Sequence, residues 1–248
     1  MGEVLFATGI AGEAANKAAR ALRENVLDVA GVMLQAEPKS LDIRANMVVD
    51  AADGNERLSL AEIGRVVYYR ADTLPKDFQS ELTVTRHHVP KKYPFSFTNG
   101  CHAAHIEVDV NTGLIQVLKY WVVEDCGTVI NPMLTDGQVH GALAQGIGQA
   151  LLEDIAYSPE GQPLAGSLMD YALPRADNMP DFTLDTLETP SPLTPLGVKG
   201  IGELPTLAAP AAVANAVMDA LSQTGVRHID TPLTPEKVWR ALNPGSRS

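Results

Sequence analysis

Cysteine and basic residues are both scarce in this sequence. It has two cysteines, Cys101 and Cys126, among 248 residues. That is too few for a disulfide framework or for an iron–sulfur cluster held by this chain alone. Lys and Arg number 19 against 30 Asp and Glu, which gives a formal net charge of −11. Because nucleic-acid binding depends on clustered Lys and Arg, this composition argues against a nucleic-acid partner.

Long apolar runs are also missing. No stretch approaches the roughly 20 apolar residues of a membrane span. The first residues lack the basic segment and apolar run of a secretory signal. We therefore expect a cytoplasmic protein without a membrane partner. Hydrophobic residues still make up 45% of the sequence, which is ordinary for a globular protein with a buried core.

The hydrophobic pattern predicts helices and strands in irregular alternation. A long helix is predicted where apolar residues recur at steps of three and four from Ala15 to Met33, before Pro38. Ser59 and Glu62 predict a capping box at the start of a second helix. Further helices are predicted at 136–153, at 207–221 and after residue 235, and strands at 4–6, 41–43, 47–49, 82–84, 104–110, 114–123 and 183–187.

The order of these elements lacks the rhythm of repeated βαβ units. It predicts an α+β fold in which mixed sheets pack against helices. Turns are expected at Asp53-Gly54 and at Asn111-Thr112-Gly113, where glycine can take a positive φ. We expect a single domain over residues 1–248, divisible into sub-lobes 1–92 and 93–248.

The helix predicted at 136–153 has two contrasting faces. Apolar residues share one side, whereas Gln138, Gln145 and Gln149 share the other. A glutamine row suits either a solvated surface or a flat ligand with hydrogen-bonding edges, since each amide both donates and accepts. Three glycines, at positions 141, 146 and 148, each weaken a helix by roughly 1 kcal/mol relative to alanine. Close backbone packing or a ligand must offset that loss. His140 falls on the apolar side, and we expect it in the core.

A second notable segment runs from Gly197 to Thr206 and contains three glycines in six residues, followed by Glu203. Thr206 is expected to cap the next helix, whose N-terminal end favours a nearby carboxylate. The segment suits close approach to a cofactor, and it equally suits a plain glycine loop before an exposed glutamate. It matches neither a Walker loop nor the dinucleotide pattern. The histidines at 87, 88, 102 and 105 lack a second cluster at ligand spacing, so no metal ligands are predicted.

These segments together resemble one known family. The resemblance rests on Val123–Gly127, Ile130–Pro132, Gly137–Gly141, Gln145–Ala150, Gly197–Glu203 and Ala208–Ala220, in this order and at these separations. They are similar to the C-terminal part of the molybdopterin-binding large subunits of the xanthine dehydrogenase, aldehyde oxidase and carbon monoxide dehydrogenase family. The similarity covers most of the chain and is strongest from about residue 103 to residue 221.

The resemblance implies roles for particular residues. Glu203 would be the catalytic base beside molybdenum, and Gln145 would contact the pyranopterin. Gly146, Gly200 and Gly202 would also lie against the cofactor. So would Ala7 and Thr8, in a loop where family members often carry Ser-Arg. The implied cofactor is a molybdenum pyranopterin, in the molybdopterin or the cytosine dinucleotide form. Its dithiolene sulfurs hold the metal, so no metal ligand is expected from the protein.

The resemblance also implies an activity and an assembly. The expected reaction inserts water-derived oxygen into an electron-poor carbon of a heteroaromatic ring or an aldehyde. Alternatives are a dehydroxylating reductase of the same family, acting on aromatic acyl-CoA, and a structural subunit that has lost the cofactor. Because family subunits are much longer, we expect a split subunit rather than a fragment. Its partners would be a larger molybdenum subunit, an iron–sulfur subunit and an FAD subunit.

Overall fold

The computed structural model describes residues 7–90 and 96–245, with side chains from Gly9 onwards. Two compact units make up the chain. The N-terminal unit is Ile10–Val89, and the C-terminal unit comprises the described residues from Pro90 onwards together with those up to Gly9. The strand predicted at 4–6 and the side chains of Ala7 and Thr8 lie outside the described part. That residues 1–248 act as one domain stays a prediction.

The N-terminal unit packs two helices on a small antiparallel sheet. A π-helical turn (Ala7–Gly12) leads into α1 (Glu13–Leu34), which is followed by β1 (Leu41–Arg44), β2 (Met47–Asp50), β3 (Glu56–Ser59) and α2 (Leu60–Tyr69). The strand order is β1-β2-β3. Helix α1 and the first two strands were predicted, whereas β3 was missed. The strand predicted at 82–84 is wrong, because no strand forms there.

The core of this unit gathers around the second half of α1. Val29 and Ala30 are buried together with Val48 and Ile63. The predicted apolar stripe is therefore buried only toward its C-terminal end, and Leu22 is exposed.

One of the two hydrogen bonds of the predicted capping box forms at the start of α2. The Ser59 hydroxyl accepts a hydrogen bond from the backbone N–H of Glu62 at 3.1 Å. The carboxylate of Glu62 instead pairs with Arg65, at 2.6 Å. The sequence therefore placed the helix start correctly but not the second bond of the box.

The C-terminal unit has a three-stranded sheet and three helices. Its elements are β4 (Asn99–Val108), β5 (Ile115–Asp125), α3 (Pro132–Leu151), β6 (Phe182–Thr186), α4 (Leu204–Ala220) and α5 (Pro235–Leu242). Strands β4 and β5 form an antiparallel hairpin, and β6 pairs parallel to β5. Gly113 in the hairpin turn has φ +75°, as the turn prediction required. The α+β prediction is confirmed.

Helix α3 begins four residues before its predicted start. The side chain of Asn131 accepts a hydrogen bond from the backbone N–H of Leu134 at 3.2 Å, and Pro132 occupies the first helical position. Asn at the N-cap followed by Pro is a strong start signal, which the prediction overlooked. The apolar face of α3, including Leu143 and Ile147, joins Val213 and Val217 of α4 in the main core.

Packing accounts for two of the four glycines in α3. A Cβ atom on Gly146 would lie 2.6 Å from the Cβ of Ala209 in α4, and one on Gly148 would lie 2.8 Å from Pro174. A Cβ on Gly141 would meet nothing within 4 Å. Of the two explanations left open by the sequence, close backbone packing therefore applies at 146 and 148.

His140 is not a core residue, contrary to the prediction. It is exposed, its Nδ1 atom lies 2.8 Å from the carbonyl oxygen of Asp136, and its ring stands edge-on to Phe182 at 5.5 Å. Because the core between α3 and α4 is filled by Val139, Leu143 and Ile147, which are four residues apart on α3, the histidine lies at the margin of that face.

The close contact between α3 and α4 yields a stability prediction. Gly146→Ala should lower the free energy of unfolding by about 1–3 kcal/mol, because the new methyl group forces the two helices apart. Gly141→Ala is the matched control and should raise that free energy by up to about 1 kcal/mol, since it adds helix propensity in open space. Chemical denaturation of both variants measures the difference. Equal effects at the two positions would contradict the packing explanation.

Candidate functional site

A cavity of about 620 Å³ opens in the C-terminal unit. Three segments form its walls: the loop after β5, the first two turns of α3, and the glycine loop, defined here as residues 197–203. Gly9 also lines it. The sheet and the two packed helices therefore bring together segments that are more than 60 residues apart in the sequence.

The loop after β5 and the glycine loop touch through their backbones. Thr128 donates its N–H to the carbonyl of Gly197 at 3.1 Å, and Lys199 donates its N–H to the carbonyl of Cys126 at 2.7 Å. Gly127 and Gly197 have φ of +69° and +71°. A Cβ on Gly127 would collide with the carbonyl oxygen of Gly197. Glycine is therefore required here both by conformation and by space.

A buried ion pair joins the same two loops. Lys199 Nζ lies 2.9 Å from Asp125 Oδ2, and the side chains are 8% and 7% exposed. Thr189 donates its hydroxyl and its backbone N–H to the Asp125 carboxylate, which also accepts the N–H of Gly127. Burial alone would raise the pKa of Asp125, but the hydrogen bonds from Thr189, Lys199 and Gly127 hold that pKa far below its ordinary value.

Glu203 lies at the N-terminus of α4 and lines the cavity. Within the described residues its carboxylate has no hydrogen bond and no ion pair, although it occupies the N-cap position. Thr206 was predicted to be the cap, which is wrong. It lies inside α4, and its hydroxyl donates to the carbonyl of Ala142 in α3 at 3.1 Å.

The structure brings some of the predicted cofactor residues together and separates others. Gly200 and Gly202 line the cavity with Glu203. Gly146 faces α4 instead. Gln145 is exposed on the helix face that Gln138 occupies two turns earlier, outside the cavity wall.

Gln138 is a cavity residue that the sequence prediction did not select. Its Oε1 atom lies 3.3 Å from the position that a Cβ on Gly202 would take. Its side-chain amide has no hydrogen-bond partner in the described part of the chain. The signal was present in the sequence, since Gln138 belongs to the glutamine row, but only the fold shows which member lies next to the glycine loop.

A buried polar cluster on the inner face of the sheet was also missed. His102 Nδ1 and Nε2 lie 2.8 Å from the Tyr120 hydroxyl and from Glu124 Oε1 respectively. Glu124 Oε2 has no hydrogen-bond partner among the described residues and lies beside Gly100. Burial and the Glu124 charge raise the pKa of Tyr120 above its ordinary value. This cluster links the two strands whose ends lead to the cavity.

The described residues lack two further features. No group of three or more His, Cys, Asp or Glu side chains lies close enough together to hold a metal ion. None of the described helices is long and apolar enough to cross a membrane.

Comparison with known proteins gives concordant results. Residues 6–180 match the family model of the molybdopterin cofactor-binding domain. The chain is 40% identical over 232 residues to the nicotine 6-hydroxylase large subunit of Paenarthrobacter nicotinovorans, covering 94% of this chain and 28% of that protein. It is 32% identical over 235 residues to the carbon monoxide dehydrogenase large chain of Hydrogenophaga pseudoflava, covering 95% and 29%.

Solved structures agree with the sequence matches. Quinoline 2-oxidoreductase from Pseudomonas putida 86 superposes with a TM-score of 0.79 at 39% identity, over 94% of this chain and 29% of that one. The chain thus spans less than a third of the length of these relatives. The family model covers most of it, and the longer matches extend over nearly all of it. This chain belongs to the molybdopterin cofactor-binding domain family.

Proposed function

We propose that this chain forms part of the molybdenum site of a multi-subunit hydroxylase and supplies its catalytic base, Glu203. One observation carries the proposal: in a chain of this family, a carboxylate with no partner among the described residues lines a cavity at a helix N-terminus, directly after a glycine loop. A general base must be free to accept a proton, and a carboxylate held in an ion pair is not. Asp125 in the same unit is so held.

The residues around the cavity suit a flat cofactor with polar edges. Gly200 and Gly202 let a ligand approach the backbone closely. Gln138 offers an amide that both donates and accepts. When bound, that cofactor would supply two-electron redox chemistry at molybdenum.

Glu203 would take part through proton transfer. Its carboxylate lies at the N-terminus of α4 and would accept a proton from the water-derived nucleophile as the new carbon–oxygen bond forms. Gly202 and Gln138 line the same cavity and would hold polar groups of the cofactor at that wall. The hydroxylase among the relatives supports oxygen insertion. A structural descendant without cofactor would have no need of a free carboxylate here.

The relatives suggest the substrate class. By name, two of them act on N-heterocycles, nicotine and quinoline. We propose an electron-poor heteroaromatic ring as substrate, with an aldehyde as the second class.

The relatives also suggest the assembly. Since the chain spans under a third of their length, a larger molybdenum subunit would supply the remaining walls, and iron–sulfur and FAD subunits would carry the electrons away. Three apolar side chains are exposed beside the cavity, at Ile130, Met133 and Leu134. Such a patch is typical of an interface and supports a partner that covers this rim.

Replacement of Glu203 tests the proposed base. Glu203→Gln keeps the size of the side chain and removes its basicity, so turnover per molybdenum should fall by about 10²–10⁴-fold. The variant complex is assayed on a panel of N-heterocycles and aldehydes with a dye as electron acceptor. Glu107→Gln, on the exposed side of β4, is the matched control and should leave turnover unchanged.

Molybdenum must be quantified in the same samples, since loss of cofactor would imitate loss of the base. A fully loaded Glu203→Gln complex with wild-type turnover would rule out Glu203 as the base.

Replacement of the glutamines tests cofactor contact. Gln138→Ala and Gln145→Ala would each leave polar cofactor atoms unpaired, at a cost of about 1–3 kcal/mol. Molybdenum content after dialysis should therefore fall in both variants, while circular dichroism stays unchanged. Gln116→Ala on the exposed side of β5 serves as control. If Gln138→Ala alone loses molybdenum, Gln145 belongs to the solvated part of the row and not to the cofactor site.

A further inference from the structure

The glycine loop is held at its two ends and by one side chain between them. At its start, Lys199 is bound to the end of β5 by its backbone N–H and by its ammonium group. At its end, Leu204 and Pro205 are buried, and Thr206 donates a hydrogen bond to α3. Gly200 and Gly202 have no side chains with which to pack, whereas Ile201 between them packs against the main core. The place of Glu203 therefore depends on the two anchors and on that contact.

The first anchor is a closed set of hydrogen bonds. Lys199 Nζ donates to Asp125 Oδ2 at 2.9 Å and to the Thr189 hydroxyl at 2.7 Å, and that hydroxyl donates to the same carboxylate. Asp125 is the residue at which β5 ends. The charges are thus fixed to the sheet and almost wholly buried, where solvent screens them little.

We propose that Lys199 and Asp125 are positioning residues for Glu203: their ion pair holds the glycine loop at the end of β5 and so fixes the carboxylate against the cavity. The inference rests on the proposed function of Glu203, but the holding of the loop can be measured independently of it. Neither residue touches the reacting atoms in this assignment, since each acts through the backbone of residues 200–202.

A misplaced base is costly, because a displacement of about 1 Å in a reacting group can reduce a rate by about 10²-fold. A purely stabilising ion pair makes a different prediction. Its loss would lower the melting temperature without changing the turnover of those complexes that remain folded and loaded. The two roles therefore separate once turnover is expressed per molybdenum atom.

The test uses Lys199→Met in the assembled complex, with Lys119→Met on the exposed side of β5 as matched control. Two quantities are measured: hydrogen–deuterium exchange of the peptide containing residues 197–203, and turnover per molybdenum with the substrate panel. We expect exchange in that peptide to rise at least 10-fold while α3 stays protected. Turnover should fall by about 10²-fold, with little change in KM. Lys199→Arg, which keeps a charged donor, should recover part of both.

A second variant covers the case in which Lys199→Met does not assemble. Removal of one partner leaves a buried unpaired charge, whereas removal of both does not. The double variant Asp125→Asn with Lys199→Met should therefore assemble but keep the rapid exchange and low turnover. Wild-type exchange of residues 197–203 in either variant would overturn the proposal. So would rapid exchange with wild-type turnover per molybdenum.

Failure of the positioning role can be distinguished from failure of the proposed function. If the wild-type complex contains no molybdenum, the proposed function fails, while the exchange measurement still reports whether the ion pair holds the loop. If the complex is active and Glu203→Gln has no effect, the base assignment fails, and loss of turnover in Lys199→Met can no longer be attributed to Glu203.

Discussion

The contact between the end of β5 and the glycine loop determines what the rest of the C-terminal unit can do. Gly127 and Gly197 meet so closely that no side chain fits on Gly127. Their positive φ angles turn each backbone so that the N–H groups of Thr128 and Lys199 donate hydrogen bonds from one loop to the other. Without this contact the loop that carries Glu203 would have no fixed relation to the sheet. The cavity exists because two distant segments share one backbone interface.

The second constraint is the approach of α3 and α4. Gly146 of α3 lets the two helices come into contact at Ala209 of α4. The hydroxyl of Thr206 in α4 donates a hydrogen bond to a backbone carbonyl of α3. Since α4 begins directly after Glu203, the spacing of these helices sets the far end of the glycine loop. Gly146 weakens α3 as an isolated helix, but it allows the close packing against α4 that positions the cavity wall at the start of α4.

Local signals predicted much of this fold and little of how the site is tied together. Helix periodicity, the Ser59 cap and the Gly113 turn depend on residues within a few positions of each other, and all three are confirmed. The turn at Ala45 and Asn46 was missed because two residues other than glycine take positive φ there.

Contacts between residues far apart in the sequence could not be predicted in the same way. The ion pair of Asp125 and Lys199 spans 74 residues, and no local pattern indicates which of many acidic residues faces a given lysine. Gln138 shares its helix face with Gln145, so the sequence identified the row but could not say which end of it the glycine loop approaches. The resemblance to a known family pointed to Gln145, whereas the fold places Gln138 in the cavity wall. These misses share one cause, since each depends on contact between separate elements.

The contrast between two carboxylates explains how one wall can be both rigid and reactive. Asp125 accepts four hydrogen bonds, one of them from the ammonium group of Lys199. These bonds keep its carboxylate ionised, so it is not available for proton transfer. Glu203 lines the cavity and has no such partner among the described residues. The chain carries 30 acidic residues against 19 basic ones, yet one of its lysines, Lys199 of the glycine loop itself, is buried against Asp125. Because this cation pairs with Asp125, the loop can be held firmly while the carboxylate of Glu203 keeps the freedom that its proposed role as a base requires.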